Sequence, residues 1–321
     1  MKSIQELSEL VSVELGDMKY PKNPSSLYEP IEYILNLGGK RMRPILVLMA
    51  YQLFDNNIRK AISPALAIEV FHNFTLLHDD IMDNAPLRRG NPTVHEKWNN
   101  NVAILSGDTM LVQAYQLMSE VDNTIVKQVL AVFNKAAIEV CEGQQWDMDF
   151  ETQLDVSIAD YLKMIEYKTA VLLGTALQIG GITAGASKEE QTHLYAFGRD
   201  LGIAFQLKDD LLDAFGDSET FGKQVGGDIM ANKKTFLYLK AMELADEMQS
   251  ANLEQYFSTN DTSQFKVDSV KDIFLSLGIP DLTSVLIREY HARAMGNLAA
   301  INSENKEPLF VFSELLMDRV S

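Results

Sequence analysis

Two copies of one acidic pattern are the part of this chain best suited to chemistry. The copies, 130 positions apart, are Asp79, Asp80 and Asp83, and Asp209, Asp210 and Asp213. Each lies in an apolar run with helical periodicity, so its first and last aspartates should project from one helix face, roughly 6 Å apart along the axis. Mg²⁺ held by one or two carboxylates completes its shell with water and phosphate oxygens. The repeat therefore predicts two metal sites that hold a diphosphate between them.

The alternative is a pair of solvated acidic helix faces. Exposed faces rarely carry apolar pairs such as Ile81–Met82 and Leu211–Leu212 inside the acids, with more apolar residues before them. The pattern therefore favours ligand binding over surface charge.

Basic residues follow in two segments that suit phosphate. Gly38 and Gly39 precede Lys40, Arg41 and Arg43 at a predicted helix boundary, where a loop can approach a ligand. The pair Arg88–Arg89 directly follows the first acidic cluster, and guanidinium groups bind phosphates bidentately. Each segment also has a structural explanation when it is taken singly. The first could be cations that stabilise a helix C-terminus, and the second could form a weak surface ion pair.

Further polar groups stand where a leaving anion would need them. Lys168 and Thr169 open an uncharged stretch, and Gln206 lies one turn before the second acidic cluster. The glycine-rich segment after Phe215 carries Lys223, and Lys233 begins a further basic run. The glycine-rich segment does not fit the nucleotide P-loop, which ends in Gly-Lys-Ser/Thr after a strand. Each signal is weak alone, and their order together is the strong one.

Helical periodicity covers almost the whole chain, and strand-like alternation is scarce. Gly, Pro, Asn, Asp and Ser concentrate at the breaks. We expect an all-α bundle forming one domain over 1–321. Helices are predicted over 31–37, 44–54, 65–77, 102–118, 125–142, 158–179, 189–215, 234–248, 267–277, 282–300 and 308–320. The uncharged stretch 169–187 is flanked by Lys168 and Lys188 and contains Gln178, which favours a buried core helix over a membrane span.

Composition limits the class of partner. The chain has 321 residues, 46% of them hydrophobic, and a net charge of -17, which argues against nucleic acid because phosphate backbones need a basic surface. A single cysteine, Cys141, excludes an intramolecular disulfide and fits a reducing compartment. The first twenty residues are acidic and amphipathic and lack the pattern of a signal peptide, so we expect a cytoplasmic protein.

Taken in order, the motifs resemble the trans-type isoprenyl diphosphate synthases of the polyprenyl synthetase family. The resemblance rests on GGKRMRP, LLHDDIMDNAPLRRG, SGD at 106–108, Lys168–Thr169, FQLKDDLLDAFGD, GKQVGGDI and NKKT. It implies an isoprenoid synthase fold, a single helical bundle in which the two acidic motifs face each other across a central cavity. Three Mg²⁺ ions per active site are implied, bound by Asp79, Asp80 (less directly), Asp83, Asp209, Asp210 and Asp213.

The same resemblance implies roles for the basic and polar residues. The isopentenyl diphosphate site would use Lys40, Arg43, His72 and Arg89. The allylic diphosphate would contact Arg88, Lys168, Lys223 and Lys233. Lys168, Thr169 and Gln206 would act at the reacting centre, with Thr169 and Gln206 near a carbocation. A lone histidine on an apolar helix is otherwise most often a hydrogen-bonded core residue, so only the resemblance gives His72 this role.

The implied reaction is ionisation, condensation and elimination. Diphosphate leaves the allylic substrate, the double bond of isopentenyl diphosphate attacks the carbocation, and a proton is lost to the released diphosphate, so no side-chain base is assigned. Three residues on the apolar helix before Asp79, namely Phe71, Phe74 and Thr75, are candidates for the floor that limits chain length. Geometry alone favours Thr75, and family precedent favours Phe74. We expect a C20 product, with C15 as the next alternative and longer chains as the third. The alternative role for Phe74 is that it only packs in the core.

Three other classes remain open at this point. A class I terpene cyclase shares one acidic motif but usually has a different second one. A non-catalytic partner of a heteromeric synthase would lack aspartates or basic residues, and both sets are present here. A metal-buffering helical protein has no need for Arg88, Arg89 and the lysines in this order. The resemblance also implies a homodimer, with the helix after Val102 contributing to the interface.

Overall fold

A computed structural model describes residues 2–216 and 225–317 and is helical almost throughout. The helices are α1 (Ile4–Gly16), α2 (Ser25–Asn36), α3 (Met42–Gln52), α4 (Ile62–Met82), α5 (Val94–Lys97), α6 (Asn100–Met118), α7 (Val126–Thr152), α8 (Ile158–Ile165), α9 (Val171–Thr183), α10 (Lys188–Phe215), α11 (Gly227–Met230), α12 (Phe236–Leu244), α13 (Glu247–Phe257), α14 (Gln264–Ser276), α15 (Ile279–Ala300) and α16 (Glu307–Met317). Ile58–Ala61 forms a 3-10 turn and Glu166–Ala170 a π-helical turn. The strands β1 (Leu87–Arg88) and β2 (Asn91–Pro92) pair antiparallel. The prediction of an all-α fold is confirmed.

Several helix boundaries differ from the periodicity, and capping explains two of them. The predicted helix 234–248 was wrong: α12 ends at Leu244 and a new helix, α13, begins after Asp246, whose carboxylate accepts a hydrogen bond from the Gln249 amide. Helix α1 was also absent from the predicted set, and Ser3 and Glu6 form a capping box at its start. The predicted helix 158–179 is interrupted by the π-helical turn, which no periodicity signalled.

The chain divides into two compact units. The first, called unit 1 below, comprises Met1–Lys135, Thr175–Tyr195 and Ile301–Leu309. Within it α4 packs against α1, α2, α3 and α6. The side chains of α4 are buried along most of the helix, so core packing fixes α4, which carries the first acidic cluster at its C-terminal end.

The second, unit 2, comprises Ala136–Gly174, Ala196–Ala300 and Phe310–Ser321. Its apolar core includes Ile165 of α8, Leu207 of α10, Leu237 of α12 and Phe274 of α14. Because α8 and α10 share this core, the π-helical turn after α8 and the second acidic cluster of α10 belong to one packed body.

The uncharged stretch after Lys168 forms α9, whose Leu172, Leu177 and Ile182 are buried. The prediction of a core helix here is confirmed. Over the described ranges, no helix has both the length and the apolar character that crossing a membrane requires.

Candidate active site

The first acidic cluster lies where α4 ends. Asp83 closes the helix, and its amide donates to the Asp79 carbonyl at 2.9 Å. Asp80 is buried and receives a two-pronged ion pair from Arg88, with Nε to Oδ2 and Nη2 to Oδ1 both 2.7 Å. Nη2 of Arg88 also lies 3.5 Å from Oδ2 of Asp79. The structure therefore brings Arg88 onto the two aspartates, with one hydrogen bond and a second close charge contact to the Asp80 carboxylate.

A two-residue hairpin turn positions the arginine pair. Arg89 and Gly90 both have positive φ, 54° and 75°, as a type I′ turn between β1 and β2 requires. Arg89 donates from Nη1 to the Gly38 carbonyl. Gly39 has a φ of 124°, which favours glycine, and a Cβ there would also stand 2.6 Å from Cζ of Arg89 and displace the guanidinium. Gly38 also has a positive φ, 79°, so backbone conformation explains both glycines of the GGKRMRP segment, and Gly39 in addition lies against Arg89.

His72 and Arg43 form a buried pair beside this loop. Nη1 of Arg43 lies 3.0 Å from Nε2 of His72, and because arginine can only donate, Nε2 must be the unprotonated acceptor. Burial, followed by the charges of Arg43 and Arg89, lowers the pKa of His72 well below 6.5. Burial also lowers the pKa of Arg43 to about 10, although Glu69 opposes the shift. Nε of Arg43 is buried and has no hydrogen-bond partner in the structure, as a site awaiting an anion would leave it.

Glu69 is a functional candidate that the sequence reasoning missed. Its carboxylate lies 2.5 Å from Nη1 of Arg41 and accepts from Nδ2 of Asn73 at 2.9 Å. Arg41 also donates to the Leu35 carbonyl and has a left-handed φ of 47°. Arg41 is therefore fixed by Glu69, whereas Lys40 is exposed on the same loop. The signal in the sequence was a lone carboxylate in the apolar run of α4, one turn before His72.

The second acidic cluster lies within α10. Asp210 accepts hydrogen bonds from the buried Tyr161 hydroxyl and, at 3.0 Å, from Nε2 of Gln206. Burial and the nearby Asp228 carboxylate raise the pKa of Asp210 to about 8. The backbone carbonyl of Asp213 accepts a hydrogen bond from the Gly226 amide at 2.6 Å, and its carboxylate accepts one from the Asp228 amide at 2.9 Å. The cluster thus anchors the start of α11 as well as its own helix.

Lys168 and Lys233 meet at a carboxylate that the sequence reasoning also missed. Oδ2 of Asp147 lies 2.5 Å from Nζ of Lys168 and 3.8 Å from Nζ of Lys233. Burial raises the pKa of Asp147, but the two ammonium groups outweigh it and the net shift is downward. Asp147 lies in a run of acids and amides with no periodic or spacing signal, so nothing in the sequence distinguished it. Thr169, next to Lys168, donates to Oε1 of Gln206 at 3.2 Å.

These groups line one cleft of unit 2, which has a cavity volume of about 110 Å³ and opens to solvent. The lining residues are Asp147, Phe150, Glu151, Tyr161, Met164, Ile165, Lys168, Thr169, Gln206, Asp210, Asp228, Lys233, Lys234 and Thr235. Lys168, Thr169, Gln206, Asp210 and Lys233 were all predicted from the sequence, and the structure brings these five together. Lys223 lies outside the described residues.

The acidic side chains suit magnesium better than a closed metal cage. Within the described part of the chain, no three His, Cys, Asp or Glu side chains converge on a metal position. Mg²⁺ does not need three, because it takes one or two carboxylates and completes its shell with water and phosphate. Burial, and then the charge of Asp228, raise the pKa of Asp210, and a hard divalent cation at this position would favour its charged form. The donor set therefore fits Mg²⁺.

The three candidate floor residues lie on α4 below the first acidic cluster. Phe74 and Phe71 are buried, with their ring centroids 5.7 Å apart, and Phe74 meets the ring of His78 at 4.8 Å. Phe71 packs edge-on against Phe133 of α7 at 5.2 Å. Thr75 donates its hydroxyl to the His72 carbonyl. The bulk at this position is aromatic and comes from Phe71, Phe74 and Phe133.

Comparison with known proteins supports the resemblance. A model of the polyprenyl synthetase family matches residues 24–274. A geranylgeranyl diphosphate synthase of Methanosarcina mazei is 41% identical over 242 residues, 75% of each chain. A short chain isoprenyl diphosphate synthase of Methanothermobacter thermautotrophicus is 34% identical over 99% of this chain and 98% of its own. A crystal structure of a geranylgeranyl pyrophosphate synthase superimposes with a TM-score of 0.95 at 47% identity, covering 100% of both chains. On this agreement in sequence and in fold, the chain belongs to the polyprenyl synthetase family and is an isoprenyl diphosphate synthase.

Proposed function

We propose that the chain condenses isopentenyl diphosphate with an allylic diphosphate to give a linear, all-trans C20 prenyl diphosphate. The observation that carries this proposal is the cleft of unit 2, which combines two ammonium groups, Lys168 and Lys233, with the carboxylate of Asp210. A departing diphosphate needs both kinds of group, cations for its charge and carboxylates for its metal ions. The names of the relatives support the product length.

In the proposed reaction Lys168, Lys233, Lys223 and Arg88 contact the allylic diphosphate. Isoprenyl diphosphate synthases are generally Mg²⁺-dependent, and bound Mg²⁺, proposed as three ions on the six aspartates, would neutralise charge on the leaving group. The hydroxyl of Thr169 points its proton at Gln206, which leaves oxygen lone pairs for the developing carbocation. Tyr161 and Gln206 hold Asp210 in one orientation while the diphosphate departs.

The isopentenyl diphosphate site is proposed in unit 1, at Lys40, Arg43, His72 and Arg89. A neutral His72 bonded to Arg43 adds no further positive charge, and the buried Nε of Arg43 offers a donor to phosphate. The double bond of isopentenyl diphosphate forms the new C–C bond to the carbocation, and the proton lost in forming the product double bond passes to the released diphosphate. The chain supplies positioning and charge stabilisation rather than a base.

Product length is proposed to stop at Phe74. Its buried ring, backed by Phe71 and Phe133, fills the space below the first acidic cluster on α4. Thr75, one turn before Asp79, uses its hydroxyl within the helix and leaves less bulk. We propose that the growing chain ends against the Phe74 ring.

We also propose that the active form is a homodimer. Ile104, Leu105 and Val112 of α6 are apolar yet 42%, 59% and 59% exposed. Leu105 and Val112 are two turns apart and share a face, as an interface with a second copy would require. The family match runs through segments of both compact units, which supports one functional domain over 1–321.

The experiment is product analysis by mass spectrometry. Purified protein is incubated with isopentenyl diphosphate and, separately, a C5, C10 or C15 allylic diphosphate, with Mg²⁺ or with EDTA. A linear C20 diphosphate formed only with Mg²⁺ is expected. A C15 product or one of C30 and above would keep the reaction and contradict the Phe74 floor. A cyclic hydrocarbon would indicate a terpene cyclase, and no turnover with any primer a non-catalytic partner subunit.

A further inference from the structure

Lys168 and Thr169 occupy an unusual piece of backbone. The turn Glu166–Ala170 is π-helical and interrupts the path from α8 to α9. Such turns are rare and are found frequently at functional sites. Two of its polar side chains are held from outside the turn, Lys168 by Asp147 and Thr169 by Gln206.

Two glycines on different helices lie against the backbone of this turn. A Cβ on Gly143 of α7 would stand 2.2 Å from the amide nitrogen and 2.7 Å from Cα of Lys168. A Cβ on Gly202 of α10 would stand 2.7 Å from Cα of Ala170. Both glycines lie inside regular helices, so they are needed for space rather than for backbone conformation. No side chain fits at either position unless the π-helical turn moves.

Asp147 lies four residues after Gly143, on the same face of α7. The backbone of Lys168 thus rests on Gly143, and its ammonium group lies 2.5 Å from Asp147 one turn further along. The same carboxylate reaches Lys233 at 3.8 Å. One helix face therefore contacts Lys168 at both ends of the side chain.

We infer that Gly143 and Asp147 are positioning residues that set the place of Lys168 and Thr169 in the cleft, with Gly202 packed against Ala170 at the end of the turn. The inference rests on the proposed function, because it gives these two residues their contact with the allylic substrate. Displacement of reacting groups by about 1 Å can cost a hundredfold in rate, so moving the turn should lower kcat.

The test compares Gly143→Ala with Gly180→Ala. Gly180 lies in unit 1, where a Cβ would stand 2.2 Å from the Val47 carbonyl oxygen, an equal overlap with backbone that does not involve the π-helical turn. Gly143→Ala should lower kcat ten- to a hundredfold, and Gly180→Ala less than threefold even if its Tm falls as much. Gly296→Ala on α15, where the Cβ would meet open space, should leave kcat unchanged and raise Tm slightly, because alanine is the better helix former. Equal kcat losses for Gly143→Ala and Gly180→Ala would overturn the inference.

Hydrogen exchange gives a readout that does not depend on turnover. Gly143→Ala should speed amide exchange in the peptide covering 166–170, and Gly180→Ala should leave that peptide unchanged. If the wild type turns over no primer, the proposed function is wrong. The hydrogen-exchange comparison would still test whether Gly143 positions the turn. Unchanged exchange in Gly143→Ala would overturn the positioning role.

Asp147→Asn keeps the shape of the side chain and guards against a Gly143 variant that fails to fold. It should lower kcat/KM for the allylic substrate at least tenfold while KM for isopentenyl diphosphate stays within twofold. Combined with Lys168→Ala, it should add little further loss, because its effect acts mainly through that lysine. Full additivity of the two changes would overturn the inference for Asp147.

Discussion

The buried ion pair between Glu69 and Arg41 allows a sharp test of the basic site in unit 1. Their side chains are 3% and 8% exposed, and the pair is 2.5 Å long. Glu69→Gln leaves Arg41 buried without its counter-charge, next to Arg43 and Arg89, and removing one partner of a buried pair costs about 3–5 kcal/mol. We expect a loss of that size in the free energy of unfolding, measured by urea titration with circular dichroism at neutral pH.

The chain contains a matched control for burial. Lys240 and Glu243 are also 2.5 Å apart, but their side chains are 27% and 56% exposed. Glu243→Gln should therefore cost less than about 1 kcal/mol, as exposed pairs do. The Glu69 variant should in addition raise KM for isopentenyl diphosphate about tenfold, since Arg41 fixes the loop that carries Lys40, while KM for the allylic substrate stays constant. Similar small losses of stability for both variants would refute the reasoning.

Three further outcomes are expected from single features of unit 1 and its surface. Phe74→Ala should lengthen the product seen by mass spectrometry, because it removes the buried ring below the acidic cluster. The control Phe265→Ala, at a side chain that is 71% exposed, should leave product length unchanged. An unchanged product distribution for Phe74→Ala would count against its role as the floor. His72 has a pKa lowered by burial, so only the unfolded chain takes up this proton as pH falls through 6.5. Relative to His72→Gln, the wild type should lose about 1.4 kcal/mol of stability per pH unit below that value, and parallel pH profiles would contradict this. By light scattering the wild type should have twice its 36.0 kDa chain mass. Val112→Glu should halve the measured mass, and Val13→Glu, at a side chain that is equally 59% exposed, should leave it unchanged. A monomeric wild type would rule out the dimer.

The sequence predicted the parts of the site that local pattern determines. The acidic clusters lie at the end of α4 and within α10, and the glycine and arginine loops stand at the predicted breaks. Asp246 followed by Gln249 marked the start of α13 in the sequence, but periodicity concealed that boundary. These features depend on residues within a few positions of one another.

The parts that could not be predicted depend on contacts between distant segments. Tyr161 bonds to Asp210 across 49 positions and Asp147 to Lys168 across 21, and neither spacing has a signature. Gly143 sits in an ordinary helical run, and its meaning appears only when the π-helical turn packs against it. Tertiary packing, not local preference, decides these positions.

The most direct measurement of the central claim is the ratio of inorganic diphosphate released to isopentenyl diphosphate consumed, followed in one reaction from a C5 primer with Mg²⁺. Each condensation forms one C–C bond and frees one diphosphate, so the ratio should be one, with three diphosphates for every C20 product and no release in EDTA. Diphosphate release without consumption of isopentenyl diphosphate would mean hydrolysis or cyclisation, and it would contradict the assignment of these two sites to prenyl transfer.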